Sequence, residues 1–244
     1  MLTGSSNVVQ DHQSLTSTLD DVVERRAQGS VAALFDVDNT LLPGEASEVQ
    51  FFGFLWRRGL VGWGELRRSA AWLLGHVPPF SLHSLRERKL YLTGKRPADI
   101  ESQAREFCQA KMIGRLSVQG RARLDEHRQA GHQLILVTGA PDFLIGPLAE
   151  FLGVPTVFAA KPEQQDSVYT GALIPPLPYG PGKRELILAH ANEMGLDLVG
   201  SYAYGDSPGD RDILELVGNP LVVNPIRGMD RTARRLGWPV ATWK

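Results

Sequence analysis

The sequence predicts an α/β protein, a three-layer, mostly parallel sheet with helices on both faces and an inserted helical segment. Three observations predict it. Short apolar runs at 31–35, 133–138, 200–204 and 220–224 alternate with helical stretches, the pattern of strands joined by crossover helices. The first run breaks into Asp36-Val37-Asp38, a pair of carboxylates at a strand end. Residues 45–115, finally, carry helical patterns and no strand pattern, so they read as an insertion behind the first strand.

In order along the chain, residues 1–28 are polar and rich in Ser, Thr, Gln and Asp, which predicts a mobile tail with a short helix near 19–26. Residues 29–44 and 116–244 form the expected core. Val31 to Phe35 is a short apolar run preceded by Gly29 and Ser30, as expected of a parallel strand covered on both faces. In the insert, Val49, Phe52, Leu55 and Trp56 mark one face of a first helix that Gly59 ends. Further helices are expected over 66–74, 82–92 and 97–111. A helix over 118–131 then precedes the second buried strand, 133–138, and another helix follows at 141–152. Runs at 156–160 and 167–173 suggest a flap-like hairpin, and a Pro- and Gly-rich loop at 175–182 leads into a helix over 183–194. Strand 200–204, helix 208–216, strand 220–224 and a helix ending near 236 complete the chain.

Bulk composition excludes several classes. Apolar content of 43% and charged content of 22% are those of an ordinary globular protein, not of a disordered or fibrous one. The single cysteine, Cys108, allows neither a disulfide framework nor a thiolate metal cluster; with no signal-peptide pattern at the start, a cytoplasmic location is expected. Apolar stretches near 51–56 and 70–74 fall short of a membrane span, so no integral membrane association is expected. No nucleic-acid partner is expected either. Charge is unevenly spread. Residues 46–115 hold 12 Lys and Arg against 6 Asp and Glu, or +6, leaving −7 for the rest of a chain whose net charge is −1. A basic insert over an acidic body suits an anionic ligand above a metal site, although a solvated helix surface gives the same count. Aromatics interleaved with Arg57, Arg58, Arg67 and Arg68 also admit peripheral docking on a lipid surface, with helix packing as the plainer cause.

Chemistry gathers at strand ends. Alternation along an extended chain puts Asp36 and Asp38 on the same side, and buried carboxylates need a compensating cation. In a parallel sheet, ligands bind beyond the carboxyl ends of the strands, so other strands should end in suitable groups. The second buried strand ends in Val137-Thr138-Gly139-Ala140, a hydroxyl beside closely approachable backbone. Pro181-Gly182-Lys183 opens a helix with a cation. Tyr204-Gly205-Asp206-Ser207-Pro208-Gly209-Asp210 supplies two more carboxylates. A P-loop does not account for Lys183, because Leu177 stands where a glycine is required and Arg184 where Ser or Thr is required.

This set resembles the haloacid dehalogenase (HAD) superfamily over about residues 31–244. The resemblance implies an HAD-like core and a Mg²⁺-dependent phosphatase acting on a small phosphorylated metabolite through an aspartyl-phosphate. Asp36 then looks like the nucleophile and Asp38 like the general acid and base. Thr138, Gly139 and Lys183 would hold the phosphoryl oxygens. Asp206, with Asp36 and the backbone carbonyl of Asp38, would ligate Mg²⁺, with Asp210 in support. The insert resembles the family's C1 cap. A phosphoserine-phosphatase-like branch is similar closer still, carrying a Glu nine residues after the nucleophile and a cap segment like Ser84-Leu85-Arg86-Glu87-Arg88. Glu45 and Arg88 are the matching substrate contacts, and both also fit plain helix roles. Asn39, Thr138-Gly139-Ala140 and Ser207-Pro208-Gly209 depart from the usual phosphoserine phosphatase wording. Phosphoserine is therefore one candidate among several phosphometabolites, with a lipid phosphate or a non-catalytic regulatory role as the other readings.

Overall fold

The computed structural model describes residues 29–64, 67 and 88–244. The expected tail at 1–28, the helix at 66–74 and most of that at 82–92 lie outside the described residues.

Seven strands form one sheet: β1 (Ala32–Phe35), β2 (Gln133–Pro141), β3 (Thr156–Gln165), β4 (Val168–Ile174), β5 (Tyr202–Gly205), β6 (Asn219–Val223) and β7 (Val240–Ala241), in the order β4-β3-β2-β1-β5-β6-β7. The β3–β4 pair is antiparallel and the others are parallel. Period-two alternation in the central strands sends Ala33, Phe35, Leu134 and Leu136 into one apolar layer, and Ala32, Leu34, Ile135 and Val137 into the other. The first layer packs on α1 (Ser47–Arg57), α2 (Pro97–Phe107), α3 (Val118–Gln129) and α4 (Asp142–Leu152). The second packs on α5 (Pro181–Met194), α6 (Arg211–Leu214) and α7 (Met229–Leu236). Helix, sheet and helix are the three layers expected.

Several elements differ from expectation, each for a local reason. Helix α1 buries Phe51, Phe54 and Leu55, because its packing partners are the rings of Phe107 and Phe143; Val49, on the apolar face read from the sequence, is 56% exposed. The expected helix over 97–111 is α2 followed by a π-helical turn, Cys108–Met112, and a 3-10 turn, Ile113–Arg115. Thr138 and Gly139 belong to extended backbone, and α4 starts only at Asp142. The helix expected over 208–216 is a 3-10 turn, Pro208–Asp210, and a single α-helical turn, α6. β7 was not legible, since two residues carry no periodicity.

The segment between β1 and β2 also touches the sheet directly. Arg88 forms an antiparallel bridge with Ala172, the Lys89 N–H donates to the Gly171 carbonyl at 2.8 Å, and Gly94 and Lys95 exchange hydrogen bonds with Tyr169. A 3-10 turn at Leu90–Leu92 lies between these contacts, where the sequence predicts the end of a helix. Gly171 has φ of +86°, and a Cβ there would overlap Thr93 Oγ1, so only glycine allows the approach. Arg115 ties the two ends of the insert, donating to the carbonyls of Pro43 and Glu45 at 2.9 Å each. Among the described residues no helix is long and apolar enough to cross a membrane.

Candidate active site

The carboxyl ends of β1, β2 and β5 and the start of α5 open on one cavity of about 810 Å³, lined by Asp36, Asp38, Thr138, Gly139, Lys183, Asp206 and Asp210. The parallel register explains the convergence: Leu34 pairs with Ile135 and Ala203, so the three chains leave the sheet at one level. The Asp36 N–H still bonds to the Tyr204 carbonyl at 2.9 Å, which fixes its side chain at the sheet edge.

Three carboxylates meet there. Asp36, Asp206 and Asp210 are 6%, 4% and 1% exposed, and each contributes an oxygen within 4.8 Å of the others'. Lys183 enters from the first turn of α5 and donates to Asp36 Oδ1 at 2.7 Å and Asp210 Oδ1 at 2.5 Å. Burial pulls its ammonium down, but the two aspartates outweigh this and raise it above the ordinary lysine range. Asp210 is pushed up by burial, yet Lys183 and donors from Ser207 outweigh that and hold it below the ordinary range. The remaining two are under-compensated. Burial and then Asp210 push Asp36 well above its ordinary value, and burial pushes Asp206 up to about 7, against the Asn39 hydrogen bond that lowers it.

Among the described residues, one lysine thus bonds two of the three buried carboxylates, and Asp206 has the Asn39 amide instead. A site with that deficit of positive charge and an all-oxygen donor set fits a small hard divalent cation such as Mg²⁺. Asp36 and Asp206 are the under-compensated pair; Asp210 belongs to the same group but is committed to Lys183 and Ser207.

Asp38 points elsewhere. Its Oδ1 accepts from the Ser47 N–H at the start of α1, at 2.7 Å, and its carboxylate lies outside the group of three. Burial raises its pKa, opposed by that hydrogen bond. Thr138 is buried with its hydroxyl oxygen accepting from the Ala140 N–H at 3.2 Å, and Gly139 lines the cavity beside the Pro178 carbonyl. Glycines make the packing possible: a Cβ on Gly205 would overlap Asp210, and one on Gly209 would lie 2.5 Å from the Tyr179 ring.

Glu45 and Arg88 do not line the cavity. Glu45 is exposed, and its carbonyl accepts from Arg115; Arg88 is exposed on the bridge to β4. Their near neighbours Glu48 and Lys89 line it instead. The reason is geometric. Ser47 opens α1 against Asp38, so the next inward-facing acid is Glu48, and pairing with β4 turns Lys89 inward where Arg88 faces out.

Two asparagines have roles at the site that the sequence did not assign. Asn39, at φ +58°, donates to Asp206 Oδ2 at 2.8 Å and to the Asn224 carbonyl at 3.0 Å, while Asn224, at φ +45°, returns a 2.8 Å bond to the Asn39 carbonyl. This reciprocal clamp joins the turns after β1 and β6. Asparagine's tolerance of left-handed backbone, at the ends of two apolar runs, was the available signal.

The profile of the haloacid dehalogenase-like hydrolase family matches residues 33–215, which contain every residue of this edge except the Asn224 side of the clamp. The chain belongs to that family. It is an enzyme, a hydrolase of the haloacid dehalogenase-like kind. Among curated relatives, phosphoserine phosphatase SerB1 of Mycobacterium tuberculosis is 29% identical over 221 residues, covering 88% of this chain and 71% of that protein. Histidinol-phosphatase of Neisseria meningitidis is 26% identical over 231 residues, covering 87% and 98%. A crystal structure of a protein of unknown function from Bordetella pertussis is 32% identical, with a TM-score of 0.74 over 87% of this chain and 98% of that one.

Proposed function

We propose that the chain is a Mg²⁺-dependent phosphatase that hydrolyses a small phosphorylated metabolite through an aspartyl-phosphate at Asp36. The observation that carries this reading is Lys183 and three buried carboxylates at one sheet edge, facing the same cavity as Thr138.

Each residue then has a role. Lys183, Thr138 and the backbone at Gly139 orient the phosphoryl oxygens and offset their charge. The Asp36 carboxylate attacks phosphorus as the bond to the ester oxygen breaks, and Asp38, held by Ser47, protonates that oxygen. Asp38 then takes a proton from water as the water oxygen attacks the phosphoaspartate, releasing inorganic phosphate and restoring Asp36. Asp38's raised pKa suits a group that must begin protonated. Mg²⁺, held by Asp36, Asp206 and the Asp38 carbonyl with Asp210 in support, would neutralise phosphate charge that otherwise repels an attacking carboxylate. Residues 45–115 serve as a cap over 29–44 and 116–244, and exclude bulk water while the ester is cleaved.

Purified protein should hydrolyse p-nitrophenyl phosphate with Mg²⁺ and not with excess chelator. Asp36→Asn should abolish turnover while the circular dichroism spectrum is retained; turnover equal to the parent's rules out the nucleophile assignment.

A further inference from the structure

An insert that swings as a lid needs a surface along which it can part from the core. Among the described residues, α1 and α2 have no such surface towards the sheet. Phe51, Leu55 and Phe107 of the insert share one buried apolar cluster with Phe35, Leu136 and Phe143 of the core. The rings make the contact directly, with Phe143 5.9 Å from Phe51 on one side and 5.9 Å from Tyr169 on the other. Parting them would expose this layer to water, and domain motion is the default only where an interface is small or polar. At the crossing points of the chain, Arg115 bonds the carbonyls of Pro43 and Glu45 and closes the hinge as well.

A second tie runs along the sheet edge. β4 is the last strand of the sheet, and the 88–95 segment pairs with its outer side. The Lys89 N–H donates to the Gly171 carbonyl and the Gly94 N–H to the Tyr169 carbonyl, each at 2.8 Å, and the Tyr169 N–H donates to the Lys95 carbonyl at 2.9 Å. Such pairing closes an otherwise open strand edge, and breaking it strands backbone donors and acceptors that must find water again. The same segment is fastened to α1, because Glu48 accepts from the Lys89 ammonium and the Tyr91 hydroxyl, and Phe52 meets the Tyr91 ring edge-on at 5.7 Å. Helix α1, residues 88–95 and β4 therefore hold together as one body. The cavity does not need that wall to move. Among the described residues its exposed lining is Gly44, Val49, Glu185, Ile226 and Arg227, so it meets solvent away from Lys89 and Leu173 on the paired side.

We propose that α1, α2 and the 88–95 segment stay on the core throughout turnover, as a fixed wall and not a swinging lid. Substrate and phosphate then exchange past the rim at Glu185, Ile226 and Arg227 while residues 88–95 remain paired with β4. This rests on the phosphatase reading and concerns how the same site is reached.

Arg88 and Ala172 stand directly opposite each other in the antiparallel pair, beside the Lys89–Gly171 bond and not sharing it. Cα atoms at such positions are about 4.5 Å apart, within the range a disulfide spans. The double variant Arg88→Cys with Ala172→Cys is therefore assayed on p-nitrophenyl phosphate with Mg²⁺ in its oxidised form and again after dithiothreitol; Cys108 is buried and takes no part in the exchange. Both kcat and kcat/KM of the oxidised form should lie within about threefold of the reduced form, since a wall that never opens sets no rate. A loss of about tenfold or more on oxidation, restored by dithiothreitol, overturns the proposal. Amide hydrogen exchange of the parent protein asks the same question without turnover. Peptides covering 88–95 and 168–172 should be protected to within about tenfold of those covering α4, with or without inorganic phosphate. Exchange at 88–95 about a hundredfold or more faster than at α4 overturns the proposal whatever the activity. No turnover of any phosphate ester by the parent or the reduced variant overturns the phosphatase reading, and the exchange measurement then decides this one alone.

Discussion

The ammonium of Lys183 lies 2.7 Å from Oδ1 of Asp36 across 147 residues of sequence, both groups buried at the carboxyl edge of the sheet. The same nitrogen bonds Asp210, so the lysine is the electrostatic anchor of the site. Removing it leaves three buried carboxylates without their cation. Lys183→Met should cost about 3–5 kcal/mol of stability, read as a lower urea midpoint near neutral pH, because breaking a buried pair strands the remaining charge. Activity should fall at least a thousandfold, about 4 kcal/mol of transition-state stabilisation.

The charge deficit at Asp36 and Asp206 makes the folded state a better cation binder than the unfolded chain. Mg²⁺ at a hundredfold excess over its Kd should add about 2.7 kcal/mol, or about 5–10 °C in Tm for a domain of this size. Asp206→Asn should abolish most of that rise in a thermal denaturation series. An equal rise in the variant argues against Asp206 as a ligand.

Asp38→Asn separates the two half-reactions. p-Nitrophenolate leaves without protonation, so the variant should release a burst of nitrophenol close to one equivalent and then stall, as the phosphoaspartate awaits a base. Alkyl phosphates, whose leaving oxygen needs the proton, should lose the first step too, by about 10²–10⁴-fold. Stopped-flow traces with the two ester types make the comparison.

His127 sets a pH dependence away from the carboxylates. Its Nε2 is 2.7 Å from the Tyr204 hydroxyl and its Nδ1 2.8 Å from His132, and its ring meets that of Phe35 in a T-shaped contact. Burial, then His132 and Arg123, lower its pKa from 6.5 to about 4. The unfolded chain therefore binds more protons than the folded one between those values. Stability should rise with pH across that window and be lost as pH falls through it, by about 2–3 kcal/mol in all. His127→Gln should flatten the urea-midpoint profile between pH 4 and 6.5.

Gly171→Ala adds a methyl where Thr93 Oγ1 already stands, on backbone at φ +86°. The variant should lose about 1–3 kcal/mol in urea unfolding. A variant with the parent's midpoint means that the 88–95 segment yields without cost.

Strand-end chemistry was readable in the chain because it depends on local order. An apolar run ending in Asp36-x-Asp38, another ending in Thr138-Gly139, a helix opening at Lys183 and a strand leading to Asp206 each announce themselves within a few residues. A parallel sheet then has only one edge at which they can meet. The Asn39–Asn224 clamp was hidden for the opposite reason: its halves lie 185 residues apart, and neither turn alone shows what its side chain bonds. In α1, periodicity identified a helix but not its rotation, which the rings of Phe107 and Phe143 decide.

The sequence by itself determined the three-layer architecture and which residues gather at the carboxyl edge of the sheet, since apolar period, turn residues and carboxylate placement are local properties. Only the tertiary structure decided which side chains of the insert reach the cavity. Spacing pointed to Glu45 and Arg88. The Ser47–Asp38 bond rotates α1 to bring Glu48 inward, and pairing of Lys89 with Gly171 turns the neighbouring Arg88 outward. In extended backbone a shift of one residue reverses the direction of a side chain. That orientation is fixed by a partner strand more than seventy residues away, which no local pattern records.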